Sequence, residues 1–429
     1  MSKNSAPDLI VTNALLRGES VDLLVRDGKI LAVVPVGTGP DKASEPAVEI
    51  VDAAGLTLLP SLTDVHTHLR EPGYEWKEDI ATGLAAAAHG GFSNIMCMAN
   101  TDPVNDKAGI TEMMLDKAKR AWPNGPRLFP IGALTVGLKG EALAPMGELV
   151  DAGCAAFSND GVPVKNSELF RRAMEYASDF GKVVIDHCED PYMGVAAGAN
   201  EGEISGRLGI PAQPDAAEAI QAARDILLAE YLGLPIHLAH ISCKKSVELI
   251  AWAKQRGVDV TAETCPHYLT LTENELADYD TNAKVNPPLR TEADRRAVLE
   301  ALESGVIDML ATDHAPHAAH EKEVEFDYAP CGITGLDTAL SVTWGLVSKG
   351  MLSEQAFVRA WTTAPCERFA LPVNRFQPGD PADFLLFDPM EEWTVTPESL
   401  RSKSKNTPLL GRPLRGRVVR HFLAGKNIV

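Results

Sequence analysis

Apolar positions along this chain follow two different rhythms. Near both ends they form short β-prone runs, at residues 9–12, 21–25 and 29–36 and again at 383–387 and 417–422, with Gly and Pro between them. Asp27-Gly28, between the second and third runs, predicts a tight hairpin. Neither end holds enough strands to close a sheet alone. The economical expectation is one small β-sandwich domain built from both termini, residues 1–58 and 367–429.

The middle alternates differently. Strand-like runs recur at residues 56–65, 93–98, 127–131, 155–157, 183–185, 236–239, 259–262 and 307–310. Helical patterns lie between most of them, at 79–89, 167–180, 214–232 and 246–256. Strand alternating with helix predicts parallel βα units, and eight of them predict an α/β fold of the TIM-like (β/α)8 barrel kind over residues 59–366. The alternative is an open doubly wound sheet, but no GxGxxG follows a strand, which weakens its dinucleotide-binding form. Residues 190–213, rich in Gly and Pro, read as a long loop over one face.

Composition narrows the class without changing the architecture. With 429 residues, 45% hydrophobic and 23% charged, the chain can bury a large core without staples. A formal charge of −19 argues against nucleic acid or an anionic membrane as partner. Seven cysteines, an odd number without a CxxC pair, read as reduced and mostly buried thiols. The start, MSKNSAPDLIV, lacks the basic and apolar regions of a secretion signal, and no apolar run approaches a membrane span; a cytoplasmic protein is expected.

The polar residues that interrupt the central rhythm sit at strand ends. His66 and His68 follow the first central strand, Asn159-Asp160 the fourth, His187 the fifth, His240 the sixth and Asp313 the eighth. Barrel enzymes gather their chemistry at the C-terminal ends of the strands, so these dispersed residues converge on one point. His66-Thr67-His68 puts two imidazoles on one side of a strand, within reach of one metal ion. An isolated HxH is a weak signal, and an isolated strand-end histidine is more often a satisfied core residue; five such strand ends together favour a metal. His237, three residues before His240, reads as structural. Cys188 and Cys243 lie beside ligand candidates, but no paired thiol spacing supports them.

Asp313, in Ala311-Thr312-Asp313-His314-Ala315-Pro316-His317, could cap a helix. A carboxylate beside a metal can instead ligate it and carry a proton, and the nearby Pro and second His favour that reading. Two cations also need an anionic bridge. Asp160 can supply one and neutral Asn159 poorly, although Asp160-Gly161 also reads as a turn. Two zinc ions with a hydroxide, Asp160 and Asp313 leave a net charge of about +1, suited to an anionic substrate.

The run Asp64-Val65-His66-Thr67-His68-Leu69-Arg70-Glu71-Pro72-Gly73 resembles the signature of dihydroorotases within the amidohydrolase superfamily. Met98-Ala99-Asn100-Thr101, Phe157-Ser158-Asn159-Asp160-Gly161 and the 312–317 segment fit the same family in the same order, so the resemblance covers nearly the whole chain. It is nearest to the bacterial type whose bridging ligand is Asp; related hydantoinases and allantoinases usually have a carboxylated Lys there, and here no Lys adjoins Phe157.

The resemblance implies reversible hydrolysis of (S)-dihydroorotate to N-carbamoyl-L-aspartate in pyrimidine biosynthesis, with one or two Zn2+ per chain, two favoured. It implies His66, His68, Asp160 and Asp313 on one zinc and Asp160, His187 and His240 on the other, with Asp313 as the catalytic proton carrier. Arg70, Asn100 and His317 would bind the substrate carboxylate and, with His68, Asn286, Cys331 and Gly332, surround the ring. Three positions depart from the pattern: Ser61 where Gly is usual, Cys331 where an aromatic residue is frequent, and Asn159 where many relatives have Asp. A homodimer is expected, and association with aspartate carbamoyltransferase is allowed. Two rival readings are another cyclic amidase, such as a hydantoinase or allantoinase, and a non-catalytic scaffold for aspartate carbamoyltransferase, which would have lost metal ligands.

Overall fold

The computed structural model describes residues 7–38, 48–194 and 197–429. Residues 1–6 and 39–47 of the expected N-terminal domain part, and 195–196 of the expected long loop, lie outside the described residues. Eight strands, Leu62–Thr67, Phe92–Cys97, Arg127–Ala133, Ala156–Ser158, Val184–His187, Ile236–Ala239, Val260–Thr264 and Met309–Leu310, lie side by side in chain order. All neighbours are parallel. First and last meet just beyond their ends, where His68 N donates to His314 O at 2.8 Å. Asp64 reinforces this seam by accepting from Thr312 N at 3.0 Å and Thr312 Oγ1 at 2.5 Å. The sheet is therefore a nearly closed barrel.

Alternation along each strand explains why the runs look apolar throughout. Val65, Met96, Ile131, Ile185, Ala239 and Met309 fill the barrel interior. Ile95, Phe157, Leu238 and Leu310 face the surrounding helices. Burial on both faces is what parallel strands under helices require. The helices begin where local chemistry permits. Ile80–Gly90, for example, is capped by the Asp79 side chain accepting from Thr82 N, and ends at left-handed Gly91.

The other eight strands form one mostly antiparallel sheet drawn from both termini. It wraps around a single core to which Leu9, Leu23, Val51, Leu58, Phe384 and Phe422 all contribute. Asp27 and Gly28, at φ 52° and 71°, make the left-handed hairpin turn expected between Glu19–Arg26 and Lys29–Pro35.

Two expectations need correction. The single run at 56–65 is two strands: Thr57–Pro60 pairs with Phe384–Thr394 in the terminal sheet, and only Leu62–Thr67 belongs to the barrel. Leu58 and Leu59 enter two different cores, so nothing in the apolar pattern marks the break. The 190–213 segment is also not wholly irregular, since Glu203–Leu208 is helical. At the other junction the helix Ala364–Phe369 crosses 366/367, with Phe369 and Leu371 packed beneath the barrel interior. No helix among the described residues is long and apolar enough to cross a membrane.

Candidate active site

The C-terminal strand ends bring His66, His68, Asp160, His187 and His240 into two triads that share Asp160, with the donor atoms of each triad within 4.8 Å of one another. Asp160 Oδ1 lies 3.4 Å from His66 Nε2, 3.4 Å from His187 Nδ1 and 3.7 Å from His240 Nε2. Its Oδ2 lies 3.6 Å from His68 Nε2. Asp313 Oδ1 joins the first triad, 3.1 Å from His68 Nε2 and 3.6 Å from His66 Nε2. Arg70, His240 and Asp313 have φ of 61°, 35° and 47°, a left-handed backbone that non-glycine residues hold only where the surroundings enforce it.

Outer partners decide which nitrogen each imidazole turns inward. His66 Nδ1 faces Glu263 Oε1 at 2.7 Å, His68 Nδ1 faces Asn100 Oδ1 at 2.9 Å and His187 Nε2 faces Glu189 Oε2 at 2.9 Å. Each of these outer acceptors holds its ring's N–H outward, so the other nitrogen faces the cluster and can offer its lone pair to a metal ion. His66 Nε2 and Asp160 Oδ1 are buried there without a hydrogen-bond partner. The carboxylates also draw positive charge inward. Burial pulls the His187 imidazole down, yet hydrogen bonds and charge from Asp160 and Glu189 raise it to about 10. Burial pushes the Asp160 and Asp313 carboxyls up, but the neighbouring histidines hold both below the ordinary carboxylate range. Inward-facing ring nitrogens, orphaned buried atoms and concentrated negative charge fit a divalent cation.

Asn159 turns away from this cluster. Its Oδ1 accepts from Thr135 Oγ1 at 2.9 Å, and its Nδ2 donates to Leu138 O at 3.2 Å and Val162 O at 3.1 Å. Lys165, the first lysine after Phe157, stands apart from the cluster, with its ammonium 5.3 Å from the centre of the Tyr192 ring. The Cys188 and Cys243 thiols approach backbone carbonyls of Asp186 and Asp215, not the triads.

A cleft of about 360 Å3 opens over the triads. His68, Arg70, Asn100, Asn286, His317, Cys331 and Gly332 all line it, beside Asp160, His187, His240 and Asp313. His317 Nε2 lies 2.8 Å from Cys331 O and must donate to it, while Nδ1, 3.3 Å from Lys77 Nζ, accepts. Burial and the charges of Arg70, Lys77 and Lys322 push this imidazole down to about 2, so it is neutral at any working pH. Arg70 Nε is anchored on Pro316 O at 3.1 Å, and its Nη2, among the described residues, meets the N–H side of His317 at 3.3 Å, a donor facing a donor. That end of the guanidinium is left for an acceptor in the cleft. Gly332 is required as such: at φ 145° a Cβ would stand 2.6 Å from Ala315 O.

Comparison with known proteins gives this geometry a family. Residues 55–246 match the family model described as Dihydro-orotase-like. The dihydroorotase of Desulforapulum autotrophicum is 48% identical over 96% of this chain and 95% of its own length. The chain belongs to the dihydroorotase family. The dihydroorotase of Geobacter metallireducens is similarly near, at 47% identity over 96% of this chain and 95% of its own. Among solved structures, the L-hydantoinase of Arthrobacter aurescens superposes with a TM-score of 0.87 at 26% identity, covering 99% of this chain and 96% of that one.

Several residues that shape this dihydroorotase-family site are not evident from sequence patterns. Glu263 ends the seventh barrel strand, buried, and bonds both His66 Nδ1 and His237 Nε2, the latter at 3.0 Å. The strand-end rule that finds the ligand candidates could also have found this acceptor behind them. Glu189, two residues past His187, also accepts from Asn286 Nδ2 at 2.9 Å and Gln213 Nε2 at 2.8 Å. Asn406 reaches in from the C-terminal part: its Oδ1 accepts from His317 N at 2.9 Å, and its Nδ2 donates to Ala315 O and Gly332 O at 3.1 and 3.0 Å. No local signal marks it. Ser61, the departure before the first barrel strand, has its hydroxyl 2.9 Å from His421 Nε2 and so ties the barrel to the terminal sheet.

Proposed function

We propose that this chain is a zinc-dependent dihydroorotase that interconverts (S)-dihydroorotate and N-carbamoyl-L-aspartate in pyrimidine biosynthesis. The observation that carries the reading is Asp160, an unmodified carboxylate with imidazoles on both sides, beneath a cleft that offers a guanidinium at its rim. His66, His68, Asp160 and Asp313 would hold one zinc and Asp160, His187 and His240 a second. Zinc bound there would polarise the ring amide carbonyl and acidify a water molecule.

The protein groups do the rest. Arg70 offers a planar fork to the substrate carboxylate, the geometry guanidinium suits best. Asn100 and neutral His317 flank that carboxylate, and Asn286 with the Cys331–Gly332 backbone borders the ring. Asp313 is the proton carrier: ionised, it accepts a proton from the attacking water, then returns it to the ring nitrogen as the amide bond breaks. Ring closure runs the same transfers backwards. A cytoplasmic homodimer fits this role.

A second reading, another cyclic amidase, is favoured by the hydantoinase-like fold. Against it stand Arg70 at the cleft and Lys165 on Tyr192, away from the bridging position. Assaying purified protein with dihydroorotate, hydantoin and allantoin decides between them. We expect turnover of dihydroorotate at least a hundredfold above the neutral rings, in line with a charged recognition group left unpaired by the wrong substrate. Preferential turnover of hydantoin or allantoin would refute the reading. A scaffold without catalysis would turn over none of the three.

A further inference from the structure

The four carboxylates around the triads, Asp160, Asp313, Glu189 and Glu263, are all buried and carry as much negative charge as two divalent cations carry positive. The metal centre with its surroundings therefore offers little net attraction to an anion, and the chain as a whole carries −19. The charge that draws an anionic substrate comes from Arg70 in the cleft and from cations set behind the cleft wall.

Two lysines add to the charge of Arg70 from behind the Pro330–Gly332 wall of the cleft. Lys284 and Lys322 are only 3% and 4% exposed. Buried lysines are rare unless paired with a carboxylate. Among the described residues, neither has a carboxylate within ion-pair distance. Lys322 Nζ donates to Thr281 O at 2.8 Å and Pro330 O at 2.7 Å, and Lys284 Nζ to Phe326 O at 2.8 Å and Asp327 O at 3.3 Å. Carbonyls satisfy the donors, and the Asp280 carboxylate acts on Lys322 only from beyond ion-pair distance. Lys77, by contrast, pairs with Glu321 at 3.0 Å. Burial and the neighbouring Lys284 push Lys322 down to about 8, and the Asp280 carboxylate offsets this only in part. The field of Lys322 reaches both Cys331 and His317, which line the cleft on the Arg70 side.

We propose that Lys322, supported by Lys284, is a specificity-determining residue whose charge, held by carbonyls and engaged in no ion pair, selects the anionic form of the ligand in the Arg70–His317 corner, without touching it. This rests on the dihydroorotase reading above. A fixed charge a few ångströms beyond contact in a partly screened cleft alters anion binding by roughly tenfold. It leaves a neutral ligand of the same shape unaffected.

The test compares orotate with its neutral carboxamide as competitive inhibitors of dihydroorotate turnover, in wild type, Lys322→Gln, Lys322→Arg and Lys284→Gln, with zinc content measured in each. The ratio of the two inhibition constants is the readout, because loss of a merely structural tie would weaken both compounds alike. We expect Lys322→Gln to reduce the preference for orotate by about tenfold and Lys284→Gln by a smaller factor. Lys322→Arg, which keeps the charge, restores most of the preference. If Lys322→Gln does not fold, Lys284→Gln carries the test through its own smaller loss of preference. An active wild type with an unchanged ratio in the Gln variants that fold overturns this inference alone. A wild type that does not turn over dihydroorotate overturns the functional reading and the inference with it.

Discussion

Glu263 joins two histidines of different duty: one oxygen lies 2.7 Å from Nδ1 of the ligand candidate His66, the other 3.0 Å from Nε2 of His237. Burial pushes its carboxyl up, and the charge and hydrogen bonds of the two imidazoles bring it down to about 2. An ionised Glu263 thus fixes the His66 tautomer that turns Nε2 inward. Glu263→Gln keeps the shape but loses the charge, and it can offer only one acceptor oxygen to two N–H groups. Zinc affinity, measured by chelator competition, should fall roughly 10–100-fold. Unchanged affinity would make Glu263 a core residue only.

Arg70 cannot be replaced by the other cation. Its Nε holds Pro316 O while its Nη atoms face the cleft, and a lysine has one donor centre for both tasks. Arg70→Lys should cost roughly 2–4 kcal/mol in kcat/KM for dihydroorotate, with zinc content intact. A kcat/KM equal to wild type removes Arg70 from the substrate site.

Asp313→Asn separates holding a metal from carrying a proton. The amide can offer a neutral oxygen to zinc but cannot shuttle. Rates in both directions should drop about 10²–10⁴-fold while some metal remains. His317, with its imidazole pushed down to about 2, is too weak a base to take over. Near-normal rates in the variant would make Asp313 a bystander.

A pH effect on stability arises far from the cleft. His421 donates from Nδ1 to Ala88 O at 2.8 Å and accepts from Ser61 at Nε2. Burial pushes this imidazole down to about 4. The unfolded chain takes up a proton below about 6.5 and the folded one does not, so stability falls as pH drops from about 6.5 to 4 and is level below. The full effect of this group is on the order of 3 kcal/mol. His421→Gln should be less stable at pH 7 but lose less on acidification. Thermal melts at pH 7 and pH 5 in both proteins check this; equal losses would contradict it.

Much of this was legible in the sequence, for a physical reason. Parallel strands buried on both faces give unbroken apolar runs, and a polar residue that ends such a run stands out, as His187, His240 and Asp313 do. The break at Ser61 was hidden because Leu58 and Leu59 are equally apolar while serving different cores. Glu263 sits near a strand end as the ligand candidates do, but Glu189 does not stand out, since an acceptor behind a ligand needs no set spacing. Lys284, Lys322 and Asn406 come from segments without periodicity, and only tertiary packing brings them to the cleft.

The central claim is that Asp160, and not its neighbour Asn159, bridges two metal ions needed for turnover. Zinc per chain, measured together with dihydroorotate turnover in wild type, Asp160→Asn and Asn159→Ala, tests it most directly. The account predicts about two zinc ions in wild type. It predicts loss of the second ion and most activity in Asp160→Asn, and retention of both in Asn159→Ala. The reverse pattern, or full turnover by a chain freed of metal, would contradict it.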